Sequence, residues 1–244
     1  MIYVTGDTHG DLDLWNMYIS EMLNDGDTII ILGDFGIGFF DNKYWTEGMF
    51  FDYLAEQNYT VLFLDGNHEN FDKLNAYEIS EWHGGHVHFI RKNVIHLMRG
   101  EIYEIDDKKI FVMGGGYSLD KNLRVPGQTW WPEEMPDEAE YKNALKNLKA
   151  YEFKVDYILT HTAPNDTVEY MSHMGRGIKS AVVEELPLNG FLRWIEDSVE
   201  YKKWYFGHFH IDAELWKNQY ALLEGVRELK TGKLLKMRYK RNGT

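Results

Sequence analysis

Apolar positions along the chain fall into short near-continuous runs separated by stretches with a helical repeat. Ile2–Thr5, Thr28–Leu32 and Thr60–Leu64 are runs of apolar and β-branched residues, the pattern of strands covered on both faces. Between them lie Asp11–Leu23, with Leu12, Trp15, Ile19 and Leu23 at helical spacing, and a second helical stretch at Tyr44–Gln57. Strands alternating with helices predict right-handed crossovers in a parallel sheet. The pattern then changes. His86–Ile90, Val94–Met98, Ile102–Ile105 and Lys109–Met113 read as short strands with little room for helices, which predicts antiparallel additions. Gly114–Pro136 reads as a loop. Asp137 is placed to cap a helix through about Tyr151, with Glu138 and Glu140 in its first turn. Val155–Thr160 is a further buried strand, Leu188–Val199 a helix and Lys203–Phe206 a strand. From Ala213 onward, Ala213–Trp216, Tyr220–Leu223 and Leu234–Tyr239 are strand-like runs between turns. Repeats, low-complexity tracts and linkers are lacking, so one domain over residues 1–244 is expected.

Polar residues recur where these strands end. Five blocks read Gly6-Asp7-Thr8-His9-Gly10, Gly33-Asp34-Phe35-Gly36, Gly66-Asn67-His68-Glu69, Thr160-His161-Thr162 and Gly207-His208-Phe209-His210. In Asp7-Thr8-His9 and in His208-Phe209-His210 the outer residues project to one side of an extended chain, so each pair can grip one ion. The carboxyl ends of neighbouring strands are also where an open α/β sheet offers a crevice. Any one block alone reads as a turn, a helix cap or a core histidine. Together they place costly buried Asp and His side chains where they can converge, which points to a two-metal hydrolytic centre.

Composition narrows the chemistry. The 244 residues include 8 Trp, 16 Tyr and 13 Phe, enough aromatic mass for a sizeable core. Cysteine is absent, so thiolate metal sites and disulfides are excluded, and donors must be imidazole, carboxylate, amide and water. The net charge of −13 gives no basic footprint for nucleic acid. An acidic chain can still bind phosphate, because bound dications reverse the local field. A strand-like start without a basic region and the lack of a membrane-length apolar run lead us to expect a cytoplasmic protein with no membrane partner.

The five blocks, in this order from Asp7 to His210, resemble the calcineurin-like metallophosphoesterase superfamily. The resemblance implies an α/β fold: a four-layer αββα sandwich of two mixed β-sheets flanked by helices. It implies that Asp7, His9 and His210 hold one metal, that Asn67, His161 and His208 hold a second, and that Asp34 bridges both. A hydroxide between two dications about 3.5–4 Å apart would attack phosphorus directly. His68 would face the phosphate, protonating the leaving group or stabilising the transition state, with Asn67 beside it. Glu69 either orients His68 or caps the following helix.

The sequence departs from the Ser/Thr protein phosphatase branch at Gly33-Asp34-Phe35-Gly36-Ile37-Gly38-Phe39, which lacks that branch's second Asp and its phosphate-binding Arg. Arg99 and Arg124 are the candidate replacements, since guanidinium suits bidentate phosphate contact. The donor set suits two divalent ions, Mn, Fe or Zn, with Ni or Co as alternatives. A small phosphate ester is the expected substrate; monoester and diester both remain open, and nucleic acid or phosphoprotein is less favoured. A non-catalytic binding scaffold is the rival reading, and such scaffolds typically lose ligands that are all present here. Three further features read as structural: His83, His86 and His88 as a loop leading into a strand with exposed imidazoles, Gly114-Gly115-Gly116 as close packing near the cleft, and Trp130-Trp131 as core or lid packing.

Overall fold

The computed structural model describes residues 1–39, 45–174 and 178–237, the side chain of Met237 aside. The described elements begin β1 (Ile2–Thr5), α1 (Leu12–Leu14), β2 (Thr28–Leu32), α2 (Glu47–Ala55), β3 (Thr60–Leu64), α3 (Phe71–Leu74), β4 (Ile79–Trp82), β5 (Gly85–Arg91) and β6 (Val94–Leu97). They continue β7 (Ile102–Ile105), β8 (Lys108–Met113), α4 (Glu138–Ala150), β9 (Tyr157–Thr160), α5 (Asn165–Ser172), α6 (Leu186–Ser198) and β10 (Lys203–Phe206). The last are β11 (Ala213–Glu214), β12 (Gln219–Ala221), β13 (Gly225–Glu228) and β14 (Leu234–Met237).

Two mixed sheets result. One has the order β14-β13-β1-β2-β3-β6-β5-β4, the other β11-β12-β10-β9-β8-β7. Strands β1, β2, β3 and β6 run parallel, as do β8, β9, β10 and β12. Alternation along the central strands explains the layers. Tyr3, Ile29, Ile31, Val61 and Phe63 pack outward with Trp15, Phe50 and Phe51. Their neighbours Val4, Ile30, Leu32, Leu62 and Leu64 pack inward against Ile110, Val112, Tyr157, Leu159 and Tyr205 of the second sheet. The outer face of that sheet packs Phe111, Ile158, Trp204 and Phe206 against Leu148, Leu188 and Leu192 of the helices. A strand buried on both faces has to be apolar at every position, which is why these runs do not alternate.

The differences from the sequence reading have local causes. Asp11 accepts the Leu14 N–H at 2.9 Å and starts a helical path as expected, but the winding widens to π over Trp15–Ile19 and tightens to 3₁₀ over Ser20–Met22. Helix α2 starts after its Thr46 cap, and Tyr44, where the expected helix began, lies outside the described residues. The expected strand to Tyr239 likewise runs past them. The stretch 86–113 is antiparallel only in part: β5 pairs antiparallel with β6, while β6 itself pairs parallel with β3, and β8 pairs parallel with β9 in the second sheet. Strands β4 and β13 lack the apolar signal of the others: Ile79–Trp82 is half-exposed, and Gly225–Glu228, though mostly buried, carries a glycine, an arginine and a glutamate in place of an apolar run. Among the described residues no helix is long and apolar enough to cross a membrane.

A buried polar chain ties the end of β3 to β5, β6 and α4. His88 Nδ1 lies 3.1 Å from His96 Nδ1, and His96 Nε2 lies 3.1 Å from Asp65 Oδ1. Arg99 donates from Nε to Asp65 Oδ2 at 2.8 Å and from Nη1 to Glu140 Oε2 at 3.0 Å. His88 is thus buried, against the expectation that it shared an exposed face with His83 and His86, which bond Glu104 and Glu101. Burial pushes the Asp65 carboxyl up, but the Arg99 guanidinium and His96 outweigh it and hold it below the usual range. A carboxylate depressed in this way contributes stability that is complete above its unfolded value, about pH 3.9, and is lost as pH falls towards the folded value. Asp65→Asn should therefore lower unfolding free energy by about 3–5 kcal/mol at pH 7, because Arg99 stays buried without that charge. Urea titrations should also show less acid sensitivity below about pH 4 in the variant than in the parent.

Candidate metal centre

All five polar blocks sit at the carboxyl ends of parallel strands, along one edge of the sandwich. Asp7 and His9 follow β1, Asp34 follows β2 and Asn67 follows β3 in the first sheet. His161 follows β9, and His208 and His210 follow β10, in the second. Main-chain bonds lace the turns together. The Asp34 carbonyl accepts the Thr8 and His9 N–H groups at 3.1 and 2.8 Å, and the His161 carbonyl accepts Gly207 N–H at 3.0 Å. The His161 ring crosses between sheets, with Nδ1 2.8 Å from the Leu32 carbonyl oxygen.

The donor atoms form two groups joined at Asp34. In the solvent-facing group His9 Nε2 lies 3.1 Å from His210 Nε2, and Asp7 Oδ2 lies 3.2 Å from His210 Nε2 and 3.8 Å from His9 Nε2. In the deeper group His161 Nε2 lies 3.1 Å from Asn67 Oδ1, 3.2 Å from His208 Nδ1 and 3.4 Å from Asp34 Oδ1. The other oxygen of Asp34 lies 3.7 Å from His9 Nδ1. Donors bound about 2.0–2.2 Å from one cation sit roughly 3–3.5 Å from each other; the deeper contacts to His161 Nε2 have that spacing, as do the contacts of His210 Nε2 to His9 and Asp7, while His9 and Asp7 stand slightly wider apart. Tautomers agree. His161 gives its Nδ1–H to Leu32, which turns a bare Nε2 inward. His208 has Nε2 3.4 Å from Glu185 Oε1 and Nδ1 inward. In the tautomer that gives Nε2–H to Glu185, His208 faces the bare His161 Nε2 with a second lone pair 3.2 Å away, an arrangement that a shared cation resolves.

The backbone is strained where it presents these donors. His9, Asp34, His208 and His210 have φ of 49°, 50°, 66° and 51°, left-handed values that cost non-glycine residues about 1–3 kcal/mol each. Space is equally tight. A Cβ on Gly66 would lie 2.1 Å from Asp34 Oδ1, and one on Gly207 would lie 2.2 Å from Asp7 Oδ1.

Charge is concentrated here as well. Asp7, Asp34 and Glu69 are all buried. Burial, then the neighbouring Asp7 and Glu69 carboxylates, push Asp34 well above its ordinary value. Burial also raises Asp7, but a hydrogen bond from His210 and the nearby His161 and His9 rings bring it below its ordinary value. Glu69 is raised mainly by burial. Its oxygens accept the backbone N–H groups of Phe35 at 2.7 Å, Gly36 at 3.0 Å and Ile37 at 2.6 Å. This corrects both expected roles for Glu69: it anchors the loop after Asp34, and the cap of α3 is Asn70, which accepts Lys73 N–H at 3.0 Å.

The two arginines separate. Arg99 is buried in its bonds to Asp65 and Glu140, so its expected use as a phosphate contact is corrected by its engagement in the fold. Arg124 reaches the cluster: Nη1 lies 2.9 Å from His68 Nδ1, Nη2 lies 3.2 Å from His68 Nε2, and Nε pairs with Asp120 at 2.8 Å. Burial, then the Arg124 cation, lower the His68 pKa to about 3. Ser118 and Glu185 carried no sequence signal of their own. Ser118 Oγ accepts from Asn67 Nδ2 at 3.1 Å, which aims the Asn67 carbonyl at His161. It follows the triple glycine, where a Cβ on Gly116 would lie 3.0 Å from His161 Cδ2, in keeping with close packing at the cleft. Trp131 is core, with Nε1 bonded to Asp72 at 3.0 Å.

A family model described as calcineurin-like phosphoesterase matches residues 1–212, a span that contains every residue of both donor groups. No curated protein matches the chain.

Gly66→Ala should abolish tight uptake of divalent metal in calorimetric titration and lower the thermal midpoint, because the new methyl occupies the place of an Asp34 oxygen. Gly190→Ala, at an exposed position of α6 with nothing near the added carbon, should bind metal normally and gain about 0.5–1 kcal/mol.

Proposed function

The chain belongs to the calcineurin-like phosphoesterase family, and from that premise we propose that it hydrolyses small phosphate esters at a dinuclear metal centre. The observation that carries this reading is the overlap of the donor clusters Asp7–His9–His210 and Asp7–Asp34–His161, with the buried Asp34 carboxylate beside both His9 and His161. Asp7, His9 and His210 would hold one cation, Asn67, His161 and His208 the other, and Asp34 would contribute one oxygen to each. Bound there, dications supply a nucleophile from water near neutral pH and neutralise charge on the phosphoryl oxygens. Nitrogen and oxygen donors without sulfur suit Mn, Fe or Zn, with Ni or Co as alternatives.

The remaining roles belong to side chains. Arg124 offers a guanidinium at the cluster's edge and is the cation we assign to the phosphate. It occupies the part that the missing loop Arg plays in the protein phosphatase branch. His68, bonded by Arg124 and 3.9 Å from Asp34 Oδ2, presents its ring at the same edge and stabilises the transition state or assists the leaving oxygen. Ser118 and Glu185 hold Asn67 and His208 in position. The net charge of −13 weighs against a long nucleic-acid track and favours a small soluble substrate.

Asp34→Asn should reduce turnover of chromogenic phosphate esters by more than about a hundredfold, beyond the 10–100-fold typical of residues behind a ligand. Elemental analysis of the same folded variant should show fewer than two ions per chain; full activity with two ions would overturn the assignment. Arg124→Ala should reduce kcat/KM by about a hundredfold, and Arg124→Lys should restore little, because an ammonium cannot reproduce a forked contact.

A further inference from the structure

A cavity of 430 Å³ opens off the cluster beside His208 and His210. Its walls include Val168, Ala181, Phe209 and Ile211, with Leu119 exposed at its mouth. Phe209 joins the cavity to the metal ligands. Its ring meets that of His208 edge-on at 5.1 Å and packs on Phe206 at 5.8 Å. Among the described residues, the lining includes the charged side chains of Lys179 and Glu185. Lys179 is exposed, and Glu185 is buried with its Oε1 taking Tyr117 N–H at 3.1 Å and facing His208. An uncharged, apolar guest therefore suits the cavity better than an ionic one.

The place of the cavity relative to His68 and Arg124 gives it meaning. The His9 ring meets both the His68 ring, 5.1 Å away, and the His210 ring, 5.2 Å away. The cluster thus has a polar flank, with His68 and Arg124, and an apolar flank, with the cavity. A phosphomonoester has one arm and needs one flank. A phosphodiester has two arms, and here two regions of different chemistry, the His68–Arg124 side and the cavity, adjoin the same donor cluster.

We propose that this cavity is a binding subsite for an uncharged apolar or aromatic arm of a phosphodiester, the arm retained after hydrolysis. The proposal rests on the hydrolase reading above. In the step, one water adds through oxygen to phosphorus, the ester bond to the alcohol on the polar flank breaks, and that alcohol leaves with a proton from the water. The product is a monoester that keeps the arm in the cavity.

The test compares two diesters with one leaving group, p-nitrophenyl phenyl phosphate and methyl p-nitrophenyl phosphate, on the metal-reconstituted full chain. After division by uncatalysed rates, kcat/KM should favour the phenyl ester by at least about tenfold, the discrimination an apolar pocket gives. Ala181→Trp, which fills the cavity, should reduce that preference at least about tenfold. Ile178→Trp serves as the second filling variant if Ala181→Trp lowers the thermal midpoint. A corrected ratio near one in the parent chain, a ratio unchanged in a folded filling variant, or turnover of monoesters alone would overturn the subsite. If Asp34→Asn still cleaved both diesters, the failure would lie with the dinuclear reading instead.

Discussion

Three carboxylates, Asp7, Asp34 and Glu69, are buried close together at one edge of the sandwich, and the local chain is organised around keeping them there. Charges in such a setting require donors or cations. Glu69 takes three consecutive backbone N–H groups, Asp34 takes His68 N–H at 2.7 Å, and Asp7 takes His208 N–H at 3.1 Å. Each carboxylate is thereby pinned by the turn that follows a different strand. The left-handed backbone at His9, Asp34, His208 and His210 follows from the same demand. A chain leaving a strand must turn back at once for its side chain to face the cluster.

Much of this was legible in the sequence, for definable reasons. Strands buried on both faces leave unbroken runs such as Thr28–Leu32, and β2 has those bounds. The motif residues lie in the chain beside their strand ends, so reading the strands also located the donors. Helix α4 was announced by Asp137 and Glu140, which form a reciprocal cap. Arg124 and Arg99 looked alike in sequence, because the choice between them depends on what each meets in space. Arg99 meets Asp65 and Glu140, while Arg124 meets His68. Glu69 was misread because its partners lie 32 to 34 positions earlier, and a reading confined to neighbours supplies only neighbours. Ser118 and Glu185 were invisible for the same reason.

The residues behind the donors do as much as the donors to define the centre. Leu32 fixes the tautomer of His161 through a main-chain oxygen, so no substitution at that position removes the contact's chemistry directly. Ser118 and Glu185 come from the segments that also border the apolar cavity and the polar flank. Positioning of the deeper donors and shaping of the neighbouring cavity thus fall to the same loops, so changes that retune one act on the other.

Both donor groups draw on both sheets. Asp7 and His9 come from the first sheet and His210 from the second; Asp34 and Asn67 come from the first, His161 and His208 from the second. Neither sheet alone can offer a complete shell. A partly folded chain with undocked sheets would lack the full donor set, so metal held there would act late on the folding path. In kinetic terms metal bound there would act as a latch, slowing the parting of the sheets far more than it speeds their meeting.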